Sequence, residues 1–202
     1  MNYSGNRKYE MTRRAEAAAQ TSENVLRVVG QLWMKYPMHE ITLEQVAAGA
    51  GITVRTILRK YGSKEGLIDA AIQQDSAGII AIKEQAQTGQ IEQIVSVMMQ
   101  EYELVGPAVI RTLAIEHDIP QAGVMLKKGR SVHRKWCARV FAPYLNTGDK
   151  KELRLRIGLF YAATDVYAWK LLRQDLGYSK KETEQIFIRT LQGIILQIKS
   201  KP

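Results

Sequence analysis

Side chains able to do chemistry are few in this 202-residue chain, and only its cations are concentrated. The three histidines, His39, His117 and His133, are too scattered to read as a metal-ligand set. The lone cysteine, Cys137, forms neither an internal disulfide nor a CxxC pair, which suits a reducing, cytoplasmic setting. Glu116-His117-Asp118 groups three potential ligands, but neighbours on a helix point in different directions, so a solvated helix end is expected. No phosphate loop, nucleophile elbow or paired-carboxylate signature occurs, and the chain is read as a non-enzyme with no cofactor and no metal. The cations stand out against this. The formal charge is +9, and residues 1–64 carry ten Lys or Arg against five Glu. The other 138 residues carry 19 basic and 15 acidic side chains. A basic first third suits an anionic partner such as the phosphates of nucleic acid.

The elements that must position these cations are helices. Val, Ile and Thr do not gather into alternating runs bounded by hairpin turns, whereas helical spacing recurs, so the fold is expected to be all-α with about nine helices. A first helix is expected from about residues 15–22 to Tyr36, with Val25, Leu26, Val28, Val29, Leu32 and Trp33 as its apolar stripe and Pro37 as its stop. Thr42 with Gln45 makes a capping box for a second helix, and Gly49-Ala50-Gly51 breaks it. Thr53 caps a third helix to Lys60, and Ser63 caps a fourth that runs to about Gln87. Two helices of about two turns joined by a tight glycine turn make a helix-turn-helix over residues 42–61. Later helices are expected at 90–105, 107–117, 120–142, 149–176 and 180–200, with Pro107 as a boundary and Asp149 and Ser179 as caps. No uncharged apolar run approaches the roughly 18 residues needed to span a bilayer, and the N-terminus does not read as a secretory signal.

Within 41–67, Thr42, Ala47, Ala50, Gly51, Thr56, Ser63, Lys64, Glu65 and Leu67 fall at the spacing of a known motif, with Ile52, Thr53 and Tyr61 as conservative replacements. This stretch resembles the DNA-binding domain of the tetracycline-repressor (TetR) family, and the resemblance covers roughly residues 20–70. It implies a helix-turn-helix DNA-binding domain over 1–70, then a helical regulatory and dimerisation domain over 71–202. The second short helix becomes the recognition helix in a major groove. Its N-terminal residues are Thr53, Val54, Arg55 and Thr56; Arg55 can give guanine O6 and N7 two hydrogen bonds, and Val54 or the Thr56 methyl can pack on a thymine methyl. Thr42, Arg59, Lys60, Tyr61 and Lys64 are the candidate phosphate contacts, joined by an arm with Arg7, Lys8, Arg13 and Arg14. Leu58 departs from the pattern, since the family often has a phosphate-bonding Tyr there.

The remainder carries no named motif. The resemblance implies a small-molecule effector, a homodimer built on the last two long helices, and release of a palindromic operator by the effector. Met98, Tyr102, Met125, Trp136, Tyr161, Asp165 and Trp169 are the candidate pocket residues, Asp165 as a carboxylate in need of a partner. Phe160, Tyr167, Phe187, Leu191, Ile194, Ile195 and Ile198 are the candidate dimer contacts. The expected partners are thus double-stranded operator DNA, a second copy of the chain and an effector, with no membrane. The alternative is a helical DNA-binding protein without ligand response, such as a nucleoid or cell-division factor.

Overall fold

The computed structural model describes residues 3–200, with side chains at 12, 13, 15–74 and 78–200. Among these residues there is no strand. The helices are α1 (Tyr3–Trp33), α2 (Leu43–Ala50), α3 (Val54–Tyr61), α4 (Lys64–Glu84), α5 (Ile91–Leu113), α6 (Pro120–Val140), α7 (Lys150–Ala163), α8 (Val166–Lys170) and α9 (Lys180–Ser200). The chain divides into two compact units, residues 1–75 and 76–202, with the division inside α4. No helix among the described residues is long and apolar enough to cross a membrane.

The caps read from the sequence set the boundaries of the short helices. Thr42 Oγ1 accepts from Gln45 N at 3.2 Å while Gln45 Oε1 accepts from Thr42 N at 2.8 Å, the reciprocal pairing of a capping box. Thr56 N donates to Thr53 Oγ1 at 3.2 Å, and Gly66 N to Ser63 Oγ at 3.1 Å. Gly51 ends α2 at φ +68°, a conformation that costs most side chains energy, so the turn into α3 depends on this glycine. Val25, Val28, Val29, Ile41, Val46, Ala47, Ile57 and Leu67 close the first core, each at most 5% exposed. At roughly 1.5–3 kcal/mol per buried large apolar side chain, that burial outweighs the modest propensities of helices only eight residues long.

Several boundaries differ from the sequence reading, the end of the first helix at Trp33 rather than Tyr36 among them. The first helix begins at Tyr3 rather than near residue 15, so its N-terminal turns continue the same helix. The side chains of Arg7, Lys8 and Arg14 lie outside the described residues. The fourth helix stops at Glu84, three residues early. Pro107 does not divide two helices but sits inside α5, flanked by buried Val105, Gly106 and Ala108. A proline in a helix interior costs about 3 kcal/mol or more, and burial on both sides of it prevails. The expected helix over 149–176 is instead two, because Asp165 caps a new helix by accepting from Tyr167 N at 3.0 Å. A π-helical turn, Leu171–Asp175, follows α8.

The second core is aromatic. Phe141 stacks on Phe160 with centroids 4.2 Å apart and planes 9° from parallel. Around them pack Ile94, Val95, Met98, Met99, Val140, Phe187, Leu191 and Ile195. Most of the candidate dimer contacts lie in this core of the single chain. Phe160, Phe187, Leu191, Ile195 and Ile198 are at most 9% exposed within a single chain, filling their own core. A helix stripe that is apolar by sequence cannot reveal whether it faces its own unit or another copy. Ile194 is half-buried against the same core, and only Tyr167, 57% exposed, is open.

Candidate nucleic-acid interface

Ile57, fully buried, anchors α3 to the first core, and this fixes which of its faces looks outward. Arg55, Leu58 and Arg59 are exposed on that outward face, and Lys60 is exposed to one side of it. Arg55 and Arg59 are one turn apart, with Leu58, 40% exposed, beside them. Val54 and Thr56 are half-buried at the N-terminal turn. The Thr53 and Thr56 hydroxyls lie 3.0 Å apart, so both are already tied to the turn that starts the helix. The first three residues of α3 carry no acidic side chain, and its last turn carries Arg59 and Lys60. The surface is therefore cationic, apolar at Leu58, and oriented by a rigid turn.

The outlying candidates separate. Thr42 is exposed at the start of α2 with its hydroxyl oxygen occupied by the capping box. Lys64 spends one of its three N–H donors on the His39 carbonyl at 2.8 Å, tying the start of α4 to the turn before α2. Lys60 lies over the Tyr61 ring, 5.7 Å from its centroid. Tyr61 itself is a correction. Its ring packs on the first core and its hydroxyl is buried, so burial raises its pKa against a smaller opposing influence of Ser22. A hydroxyl turned inward cannot donate to a phosphate.

The candidate pocket residues belong to a close-packed region. Met98, Tyr102, Trp136 and Trp169 are at most 5% exposed, and Met125 and Tyr161 are half-buried. Asp165 is no orphaned carboxylate, since its partner is the α8 backbone it caps. Trp169 packs on Gly106, where an added Cβ would lie 2.6 Å from the ring, and its indole N–H donates to Glu103 Oε1 at 3.0 Å. Arg173 also pairs with Glu103, at 2.7 Å. Trp169 therefore joins α8 to α5 structurally.

Beside these residues lies a polar cluster that the sequence reading missed. Lys83 Nζ and Glu101 Oε2 pair at 2.6 Å with both side chains at most 8% exposed. His133, Cys137 and Thr164 adjoin them, and burial raises the Glu101 carboxyl pKa against the opposing pull of Lys83. The signal was present: His133, Trp136, Cys137 and Val140 share one face of α6 at helical spacing, so this histidine belonged inside. Elsewhere, Glu116 pairs with Arg130 through both oxygens, at 2.5 and 2.6 Å, where a solvated helix end had been expected.

Residues 30–71 match the family model described as bacterial regulatory proteins, tetR family. No curated protein matched the sequence. Among solved structures, the fold is similar to that of a TetR-family transcriptional regulator from Streptomyces coelicolor, with a TM-score of 0.69 at 13% identity over 91% of this chain and 84% of that one. It is also similar to a protein assigned as a transcriptional regulator from Pseudomonas aeruginosa PAO1, at 0.67 and 15% identity over 89% of this chain and 92% of that one. Residues 30–71 thus resemble the tetR family of bacterial regulatory proteins, and the fold is shared with these two structures over about nine-tenths of the chain.

Proposed function

We propose that the protein is a sequence-specific, DNA-binding transcriptional repressor that works as a homodimer and leaves a palindromic operator when a small molecule binds its second unit. The observation that carries this reading is α3: a capped two-turn helix inside the family-matched segment, with Arg55, Leu58 and Arg59 outward. Arg55 reads a guanine, Val54, Thr56 and Leu58 meet thymine methyls, and Arg59, Lys60, Lys64 and Thr42 hold phosphates. This reading asks no metal or cofactor of the chain, and a soluble cytoplasmic protein suffices.

The dimer contact moves one face around the helices from its sequence-read position. Leu155 and Leu159 on α7 and Leu196 on α9 are 55%, 41% and 68% exposed, and Leu155, Gly158, Leu159 and Gln197 line a groove of about 420 Å³. Exposed apolar residues on two packed helices suit burial against the same face of a second copy.

Selection of bound duplexes from a random-sequence pool by the purified protein tests the reading. Enrichment of an inverted repeat is expected, with half-sites one helical turn or a multiple apart. Recovery of unrelated sequences at equal frequency would overturn it.

A further inference from the structure

The ammonium of Lys83 sits in a cage built from three helices. Glu101 Oε2 of α5 lies 2.6 Å from it, His133 Nδ1 of α6 3.4 Å, and the face of the Trp136 ring 4.5 Å from its centroid. The hydrogen-bond network sets the histidine tautomer. Thr164 Oγ1 donates to the Phe160 carbonyl at 2.7 Å, so its lone pair accepts from His133 Nε2 at 3.1 Å. That leaves Nδ1 without a proton and facing the ammonium. Burial, with the neighbouring Lys83 charge, holds His133 neutral by lowering its pKa to about 3. A carboxylate, a bare imidazole nitrogen and an indole face are three groups that attract a cation.

We propose that this cage is an exchangeable cation site, in which an organic ammonium with an aryl or short alkyl body takes the place of the Lys83 side chain between Glu101 and Trp136. Its role as the effector site rests on the repressor reading above; the cage itself does not. A buried ion pair is poor evidence of stabilisation, since apolar residues of similar volume often serve as well or better. The pair makes sense if Glu101 is kept for a guest and Lys83 holds the place. The exchange of one cation for another leaves the buried charge unchanged. An anionic guest would set a second negative charge beside Glu101, whose carboxyl already resists ionisation through burial. The exchange asks only the Lys83 side chain to leave, with its backbone in place. Its carbonyl is held by Trp136 Nε1 at 3.1 Å and Arg139 at 2.7 Å, while Ala81, Glu84 and Gln85 around it on the chain are exposed. In the proposed exchange its four-carbon stem carries the ammonium out to water. Tyr161, edge-on to His133 at 4.8 Å and half-buried, offers the wall for an aryl body.

Calorimetric titration with benzylammonium tests the site, with benzyl alcohol and benzoate as neutral and anionic counterparts. The protein is expected to bind the ammonium in preference to both, with a shift of the Trp136 indole N–H resonance. If Lys83 fills the cage nine-tenths of the time, Lys83→Met removes that competitor and tightens binding about tenfold. Glu101→Gln should abolish it. Circular dichroism checks each fold, and Lys83→Gln substitutes where Lys83→Met does not fold. Equal affinity for benzyl alcohol, undiminished binding by Glu101→Gln, or no binding at millimolar ammonium by either the parent or the Lys83 variant would overturn the proposal. Operator affinity is then read with and without benzylammonium. A loss of affinity supports the effector role, and binding with no effect on DNA removes that role. Failure to bind any operator, with the cation still bound, would sink the repressor reading alone.

Discussion

Arg55 and Tyr61 lie six residues apart in the helix-turn-helix, and their surroundings give them opposite tasks. Arg55 is exposed at the N-terminal turn of α3, where a guanidinium can meet a base edge. Arg55→Ala should cost about 1–3 kcal/mol on the selected operator and relax preference at one position of each half-site, as read by competition with point-substituted duplexes. Equal losses on operator and random DNA would instead make Arg55 a phosphate contact. Tyr61 turns its hydroxyl inward. Tyr61→Phe should therefore leave the salt dependence of DNA binding in place, with a stability change within about 1 kcal/mol by urea denaturation. A phosphate contact at this position would show as a salt slope lower by about one.

Among the elements, the buried network joining α4, α5, α6 and the end of α7 makes the clearest pH prediction. His133 has a folded pKa near 3 against an ordinary 6.5. Below pH 6.5 the unfolded chain takes up a proton that the folded chain refuses, so stability falls as pH drops toward 3 and is undiminished above 6.5. The slope from this residue is about 1.4 kcal/mol per pH unit through that window. His133→Gln, compared with the parent by denaturation between pH 7 and 4, should lower the slope by that amount; parallel curves would show that His133 protonates without cost. The sequence made the front elements legible because their signals are local: Thr42 with Gln45, Thr53, Gly51 and Ser63 act on residues within one turn. It misjudged Pro107 and residue 165 because their outcome depends on distant packing around α5 and on which of two backbone segments Asp165 caps. Lys83 and Glu101 are 18 residues apart on separate helices, and nothing in either neighbourhood announces the pair.

For the whole molecule, two neighbouring residues of α9 test the proposed dimer separately from the fold. Leu196 is 68% exposed and Ile195 is 7% exposed. Leu196→Asp should leave the helical signal intact and yield a monomer by light scattering. The loss of linked half-sites should then weaken operator binding about a hundredfold or more. Ile195→Asp buries an unpaired charge in the second core and should unfold the protein at lower denaturant. A folded, dimeric Leu196→Asp protein would place the contact between copies elsewhere.

Sequence-specific DNA recognition through α3 is tested most directly by titrating the purified protein against its selected duplex and a shuffled duplex of the same composition, at one fixed salt concentration. The shuffled duplex measures attraction by the basic surface alone, which rests on charge and falls with salt. A protein that reads DNA sequence through α3 should prefer the selected duplex by about a thousandfold or more, and Arg55→Ala should erode that ratio rather than both affinities together. Equal affinity for the two duplexes would contradict the reading, leaving α3 as a cationic surface that holds DNA without reading it.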